Sequence, residues 1–265
     1  MGNISRPIGS SVFTRALLRG LSGSYASFYR DRGVHISSAL ADAQHAAYLS
    51  TLEDLGLAVS IVDVDERYPD CVFVEDTAVV WRGHALICSA AAHRDGEQVA
   101  VERALQNEHR ITRLPAGALL EGGDVLHVGD TTYVGLSTRT NGKGAAALAA
   151  MLTPFGVRVV TVPVYNTLHL KSAATYLGDD TLLVSPERLD ARHFGAREIV
   201  LTSENEPLAA NCLRFNDCLI IPAGYPETAR RLRRLSDRWG VRVVQLDISE
   251  FEKGAGALTC LSILW

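Results

Sequence analysis

The chain has no Cys-x-x-Cys pair, and its cysteines number five, which is odd. A disulfide framework or a zinc site built on cysteine spacing therefore has little support. No run approaches the ~18 consecutive apolar residues of a membrane span. Residues 1–11 lack the apolar stretch of a signal peptide, so the expectation is a cytoplasmic chain without membrane attachment. Lysine and arginine (26) nearly balance aspartate and glutamate (30), leaving a net charge of −4. No general attraction to nucleic acid or to an acidic membrane follows from that balance.

What is present is apolar content and repetition. The 265 residues are 47% hydrophobic and 21% charged, enough for a large core. A single domain over residues 1–265 is expected if the fold is repetitive. Five units recur, each reading helix, strand, then a pair of strands joined by a short turn. The first has a helix over 37–55 stopped by Gly56, a strand over 58–64, and strands over 72–80 and 85–88 joined at Arg82-Gly83. The second has a helix over 97–106 and strands over 110–114, 124–128 and 132–136, and the third a helix over 144–152 and strands over 157–162, 172–177 and 181–184. A short helix after Pro186 and strands over 198–201, 210–214 and 218–221 make the fourth. The fifth has a basic helix over 227–239, a strand over 241–246 and a final strand within 256–264, so it lacks one strand. An orphan strand over 12–16 can supply it, closing a ring of α/β units and removing exposed sheet edges. An ordinary α/β or α+β sandwich would show much of the same alternation.

In such a ring the start of each unit's strand pair faces a common axis. That position holds Glu75 and Asp76, then Glu121, then His169, then the neighbourhood of Asn211, then Cys260. Each has a structural explanation as well. Glu121 opens a Gly-Gly turn, His169 lies between leucines as many packed histidines do, and a lone buried cysteine usually acts as a small hydrophobe. Asp70 reads as a turn residue and Arg139 as a surface or capping residue. Two adjacent carboxylates inside the apolar run 72–80 are harder to explain by packing, because burying them unpaired is costly. The histidines and cysteines show no ligand spacing, so no metal is expected. The run Arg230-Arg231-Leu232-Arg233-Arg234 reads as the solvated face of an amphipathic helix.

Five segments taken together resemble the dimethylarginine dimethylaminohydrolases of the guanidine-modifying (amidinotransferase) superfamily. They are Asp70-Cys71-Val72-Phe73-Val74-Glu75-Asp76, Glu121-Gly122-Gly123-Asp124-Val125, Gly135-Leu136-Ser137-Thr138-Arg139-Thr140-Asn141, His169-Leu170-Lys171 and Leu258-Thr259-Cys260-Leu261-Ser262-Ile263. The resemblance implies a five-fold pseudosymmetric α/β propeller (a pentein), which agrees with the ring read from the repeats. It implies Cys260 as nucleophile, His169 as general acid and then base, and Glu121 as its partner. Asp70, Glu75 and Asp76 would meet the guanidinium. Arg139 would hold the substrate carboxylate, with Arg94 the best match for a second arginine, in a loop that departs from the family's Arg-Pro-Gly run. The glycine-rich loop after Arg19 matches the substrate lid in place. No cofactor is implied, the partner is a small methylated arginine, and the assembly is a monomer or homodimer.

The implied reaction is hydrolysis of Nω-methylated arginines to L-citrulline and methylamines through a covalent thiouronium. An arginine deiminase or an amidinotransferase of the same superfamily is the alternative. Against a deiminase, the chain lacks the helical insertion of those enzymes and their Arg-Cys-Met form at the cysteine. A non-catalytic binding propeller is the reading from another class, weakened by the joint presence of Cys260, His169 and Glu121.

Overall fold

The computed structural model describes residues 12–265; the segment read above for a leader lies outside the described residues. In chain order the elements are β1 (Arg15–Arg19), α1 (Tyr25–Arg30), α2 (Ser38–Asp54), β2 (Ala58–Val62), β3 (Ala78–Trp81), β4 (His84–Ile87), α3 (Gln98–Leu105), β5 (Arg110–Arg113), β6 (Val125–Val128), β7 (Thr131–Leu136), α4 (Gly142–Leu152) and β8 (Arg158–Pro163). They continue with β9 (Ala174–Gly178), β10 (Thr181–Val184), β11 (Glu198–Leu201), β12 (Leu213–Phe215), β13 (Cys218–Pro222), α5 (Pro226–Trp239), β14 (Arg242–Leu246), α6 (Ser249–Lys253) and β15 (Ile263–Leu264).

Five three-stranded sheets result, and all share one plan. An antiparallel pair is followed by a parallel third strand, as in β3-β4-β5, β6-β7-β8, β9-β10-β11 and β12-β13-β14. The fifth sheet, β15-β1-β2, takes its middle strand from the N-terminal side of the chain. That strand covers Arg15–Arg19 rather than the expected 12–16. Ala16, Leu17 and Leu18 are buried while Val12 is 56% exposed, so packing sets the register three residues later. Two tight turns use consecutive left-handed residues, Arg82-Gly83 and Asp179-Asp180, the geometry that matches the twist of a two-residue hairpin.

The core lies in parcels between successive sheets. Leu120, Val125 and Val134 join Val79 and Leu86 under α4. Leu177 and Leu183 meet Leu219, Ile221 and Leu232 under α5. Leu17, Val62 and Ile263 of the fifth sheet pack with Val74, Ala78 and Ile87 of the first. Helix α5 begins with Pro226 in its first turn and ends at left-handed Gly240. It buries Ala229 and Leu232 and leaves Arg230, Arg231, Arg233 and Arg234 in solvent. No helix among the described residues is long and apolar enough to cross a membrane.

Several expected strands are shorter than the apolar runs suggest. The run 72–80 is broken by a 3-10 turn at Val74–Thr77, and 256–264 by another at Thr259–Leu261. Only a 3-10 turn, Ala191–His193, stands where a short helix was expected after Pro186. Helix α1 sits inside the glycine-rich loop, where the small residues of 20–24 mask the aromatic run that follows. Replacing Leu232 (1% exposed) with Ala is expected to cost about 2–5 kcal/mol by equilibrium denaturation. Arg234→Ala, on the outer face of the same helix, should stay within about 0.5 kcal/mol of wild type.

Candidate active site

Each sheet is entered through a 3-10 turn: Val74–Thr77, Gly122–Asp124, Leu170–Ser172, Pro207–Ala210 and Thr259–Leu261. The first turn packs against the second and the fifth, the second against the third, and the third against the fourth. Close approach needs glycine at the second. A Cβ at Gly122 would lie 2.0 Å from the carbonyl oxygen of Glu75. One at Gly123 would lie 2.6 Å from Nδ1 of His169 and 2.9 Å from Oδ1 of Asp76. The Gly-Gly pair thus admits the carboxylate and the imidazole to one buried space.

Within it, His169 Nε2 lies 2.6 Å from Glu121 Oε2, and its Nδ1 lies 3.8 Å from Asp76 Oδ1. Burial alone would pull the His169 pKa down, but Asp76, the Glu121 hydrogen bond and Asp124 outweigh it and hold it up at about 9. The ring is therefore an imidazolium at neutral pH. Asp76 is held ionised: burial opposes its charge, and His169 and Arg94 overcome that. Its Oδ2 accepts from Arg94 Nη1 at 2.7 Å, whereas Oδ1 is buried without a hydrogen-bond partner among the described residues. Cys260 sits in the fifth turn, 6% exposed, its N–H donating to the Ala257 carbonyl at 3.2 Å. Burial, then Glu75 and Asp76, push its thiol pKa well above the ordinary value.

Glu75 is tied more tightly than a free substrate ligand would be. Lys171 Nζ lies 2.5 Å from its Oε1, and Thr259 Oγ1 donates to its Oε2 at 2.8 Å. Asn211 continues this chain, donating through Nδ2 to Thr259 Oγ1 and to the Lys171 carbonyl, and accepting from the Thr259 N–H. Sequence reasoning gave Lys171, Thr259 and Asn211 no role. Their signal was adjacency to His169 and Cys260 and, for Asn211, its place at the fourth repeat of the axial position.

Asp70 lies on the lid side. Its Oδ1 is 2.8 Å from the Tyr29 hydroxyl and its Oδ2 is 3.0 Å from His93 Nε2. The His93 ring in turn stacks on Phe28 of α1, with centroids 5.7 Å apart. Tyr29 also lies 2.9 Å from the Gly254 carbonyl, and Glu66 accepts from the N–H groups of Gly23 and Ser24 and from Ser22 Oγ. The loop after Arg19 and α1 are thus fastened at several points, to Glu66, Asp70 and the Gly254 carbonyl.

The two arginines differ. Arg139 is on the rim, its side chain 29% exposed and Nη1 3.7 Å from Glu121 Oε1. Arg94, expected to reach a substrate carboxylate, instead turns inward and is 6% exposed. Its nitrogens donate to Asp76, to Glu97 Oε1 and to the Phe73 carbonyl. The physical reason is Glu97, a buried carboxylate in the next turn that, with Asp76, forms a dry binding site for a guanidinium.

One donor set could hold a cation. Ligand atoms of Asp76, Glu121 and His169 all lie within 4.8 Å of one another, a grouping that residue spacing had hidden. The raised basicity of His169 and its bond to Glu121 oppose metal binding, since a ligating imidazole must be neutral.

Comparison with known proteins places this geometry. The family model for eukaryotic N,N dimethylarginine dimethylhydrolase matches residues 26–207. The N(G),N(G)-dimethylarginine dimethylaminohydrolase of Pseudomonas aeruginosa is 36% identical over 83% of this chain and 86% of its own. The protein of the same name from Streptomyces coelicolor is 39% identical over 86% of this chain and 87% of its own. A structure of the Pseudomonas aeruginosa enzyme, as a cysteine-to-serine variant complexed with citrulline, superposes with a TM-score of 0.86 at 30% identity. It covers 96% of this chain and all of the other. With five like sheets, a buried cluster of Asp76, Glu121 and His169 and these relatives, the chain belongs to the dimethylarginine dimethylaminohydrolase family, hydrolases that act on carbon–nitrogen bonds.

Proposed function

We propose that this protein hydrolyses Nω-methylated arginines, asymmetric dimethylarginine and monomethylarginine, to L-citrulline and dimethylamine or methylamine. The observation that carries this reading is the buried Asp76 oxygen without a hydrogen-bond partner among the described residues, in a space it shares with the His169 imidazolium. A planar cation bearing N–H groups meets the need of that oxygen and offsets the charge that the thiol acquires on ionising.

Five like sheets entered through successive turns would form a closed propeller, one domain over residues 1–265, with the site on its axis. The packing of the fifth sheet on the first supports the closure. The guanidinium enters with an N–H toward Asp76 and its carbon beside Cys260. Glu75, braced by Lys171 and Thr259, adds negative potential, and Asp70 stands at the lid side. Arg139, on the rim, takes the α-carboxylate. Binding favours the thiolate, whose proton passes to solvent. Sγ then bonds to the guanidinium carbon to give a tetrahedral adduct. His169, held as an imidazolium by Glu121 and Asp76, gives its proton to the methylated nitrogen as that carbon–nitrogen bond breaks. The thiouronium remains. Neutral His169 next takes a proton from water as the oxygen adds to the same carbon, and collapse breaks the carbon–sulfur bond, the sulfur leaving with the adduct's hydroxyl proton as the thiol while citrulline is released. Every step uses side chains of this chain, in a soluble cytoplasmic setting.

The decisive assay is citrulline formation from asymmetric dimethylarginine and from arginine, side by side, with wild type and Cys260→Ser. Turnover of the methylated substrate, lost in the variant, is expected. Preference for arginine would move the protein to the deiminases with the same machinery, and no turnover of either would overturn the hydrolase reading of this site. A second expectation concerns pH. The raised His169 pKa places the alkaline limb of kcat/KM near 9. Glu121→Gln removes one support of the imidazolium, so the limb should move toward neutrality and kcat should fall by roughly 10²-fold or more. The same shift links to stability. The His169 contribution is fully present below its unfolded pKa of about 6.5 and is lost as pH rises through about 9. The stability gap between wild type and His169→Gln in urea titrations should therefore narrow above that pH. Thiolate absorbance of the free protein should stay low through neutrality and rise when a non-hydrolysed guanidine binds.

A further inference from the structure

Among the long helices of the repeat, α5 alone carries a cationic stripe. Helix α2 has no lysine or arginine, α3 has one arginine and α4 one lysine, whereas α5 has five arginines against two carboxylates. The repeat plan does not demand that charge, and the chain as a whole is acidic, at −4. Two of the five are engaged along the helix or with β14: Arg230 pairs with Glu227, and Arg233 donates to Gln245. Arg231, Arg234 and Arg238, at i, i+3 and i+7, share another face and line a groove of about 380 Å³ against β11. Arg234 is exposed and has no hydrogen-bond or ion-pair partner among the described residues, and Arg238 reaches only Glu198, at 3.6 Å. Facing them is an open strand edge, since β11 pairs with β10 alone. The N–H groups of Glu198 and Thr202 point to the Asp180 and Val184 carbonyls, so alternation turns the backbone groups of Ile199 and Leu201 outward. There the Leu201 carbonyl accepts from Arg231 Nη1 at 2.8 Å.

Guanidiniums one helical turn apart, beside an unpaired strand edge, are complementary to an extended chain with carboxylates on one face. We propose that this groove docks an acidic segment of a partner protein in extended conformation, which adds to the edge of β11 and sets its carboxylates on Arg234 and Arg238. Strand addition supplies main-chain hydrogen bonds, and the side chains of alternate residues supply selectivity. The spacing fits. Four residues along a helix advance about 6 Å, and alternate residues of a strand lie about 6.6 Å apart, so acidic residues at i and i+2 meet both arginines. Each guanidinium can take a carboxylate through two parallel N–H bonds. The net acidity of the chain and Glu198 in the groove itself oppose the phosphates of a nucleic acid. A lipid surface fits less well, because Ala229 and Leu232 are buried inside the protein and α5 has no free apolar face to insert. None of this depends on what the axial site catalyses.

The test is fluorescence anisotropy of the full-length protein with a labelled, end-capped peptide of about ten residues that alternates glutamate and threonine. Wild type should bind it with a Kd of roughly 10–100 μM at low salt, and more weakly as salt rises. Arg234→Glu combined with Arg238→Glu should weaken binding by roughly 10-fold or more. Arg233→Glu makes the same charge change away from the groove and should stay within about twofold of wild type. Arg234→Gln combined with Arg238→Gln, which adds no new charge, should also lose affinity and serves if the reversed pair does not fold. A lysine–threonine peptide, and the glutamate peptide with alternate backbone nitrogens methylated, should each bind roughly 10-fold or more weakly than the parent. Single-stranded RNA and phosphatidylserine vesicles are titrated in parallel. No binding of the glutamate peptide up to about 1 mM, an equal loss in Arg233→Glu, or undiminished binding of the N-methylated peptide would each overturn the proposal. Tighter binding of RNA or vesicles through Arg234 and Arg238 would also overturn it, and would reassign the groove to that ligand.

Discussion

The ionisation of Asp76 between two cations is the constraint on which the site depends. A fully buried carboxylate would normally take up a proton. Arg94 on one oxygen and the His169 imidazolium near the other keep it charged. In return the Asp76 charge, together with the Glu121 hydrogen bond, supports the imidazolium. Removing either partner would leave an uncompensated charge in a dry space, which is why such pairs are costly to break even where they add little net stability. The fold serves this arrangement. Glycines 122 and 123 bring the second turn close enough for a carboxylate from the first and an imidazole from the third to share it.

Around that centre the hydrogen bonds divide into an inner frame and an outer fastening. The inner frame runs from Lys171 through Glu75 and Thr259 to Asn211, linking the first, third, fourth and fifth turns beside Cys260. Since Thr259 and Cys260 are neighbours in one turn, the same bonds that satisfy Glu75 position the sulfur. The outer fastening runs from Glu66 to the Ser22–Ser24 backbone, from Tyr29 to Asp70 and from His93 to Phe28. Its bonds from Glu66 to the Gly23 and Ser24 N–H groups are exposed, so that end can open without disturbing the frame.

Much of this was legible in the sequence because it violates local rules. Glu75 and Asp76 interrupt an apolar run, and Glu121, His169 and Cys260 recur at one place in a repeat, so chemistry and topology pointed to the same residues. The repeat also foretold that a strand near the N-terminus would complete the last sheet, although burial of Ala16–Leu18 shifted its register. What could not be read was decided by distant partners. The inward turn of Arg94 depends on Glu97 and on the Phe73 carbonyl, and nothing in Ser89–Arg94 itself points there. The 3-10 turns were hidden because a short apolar run reads the same as strand or tight turn until its hydrogen bonds are known.

The state of the thiol follows from the same charges. Glu75, Asp76, Glu97 and Glu121 are gathered with Arg94, Lys171 and His169, and Arg139 stands only at the rim. A thiolate at Cys260 would add its negative charge beside Glu75 and Asp76 in a space where burial already makes an anion costly, so the free site favours the thiol. A guanidinium changes that sum by a full positive charge at the place where the sulfur must attack. The nucleophile is then generated mainly when its target is bound. A buried cysteine held in this way is protected from adventitious oxidation, because oxidants act on thiolate and not on thiol. The acidity of the axis, which looks like an obstacle to a cysteine nucleophile, thereby makes its reactivity conditional on the substrate's own charge.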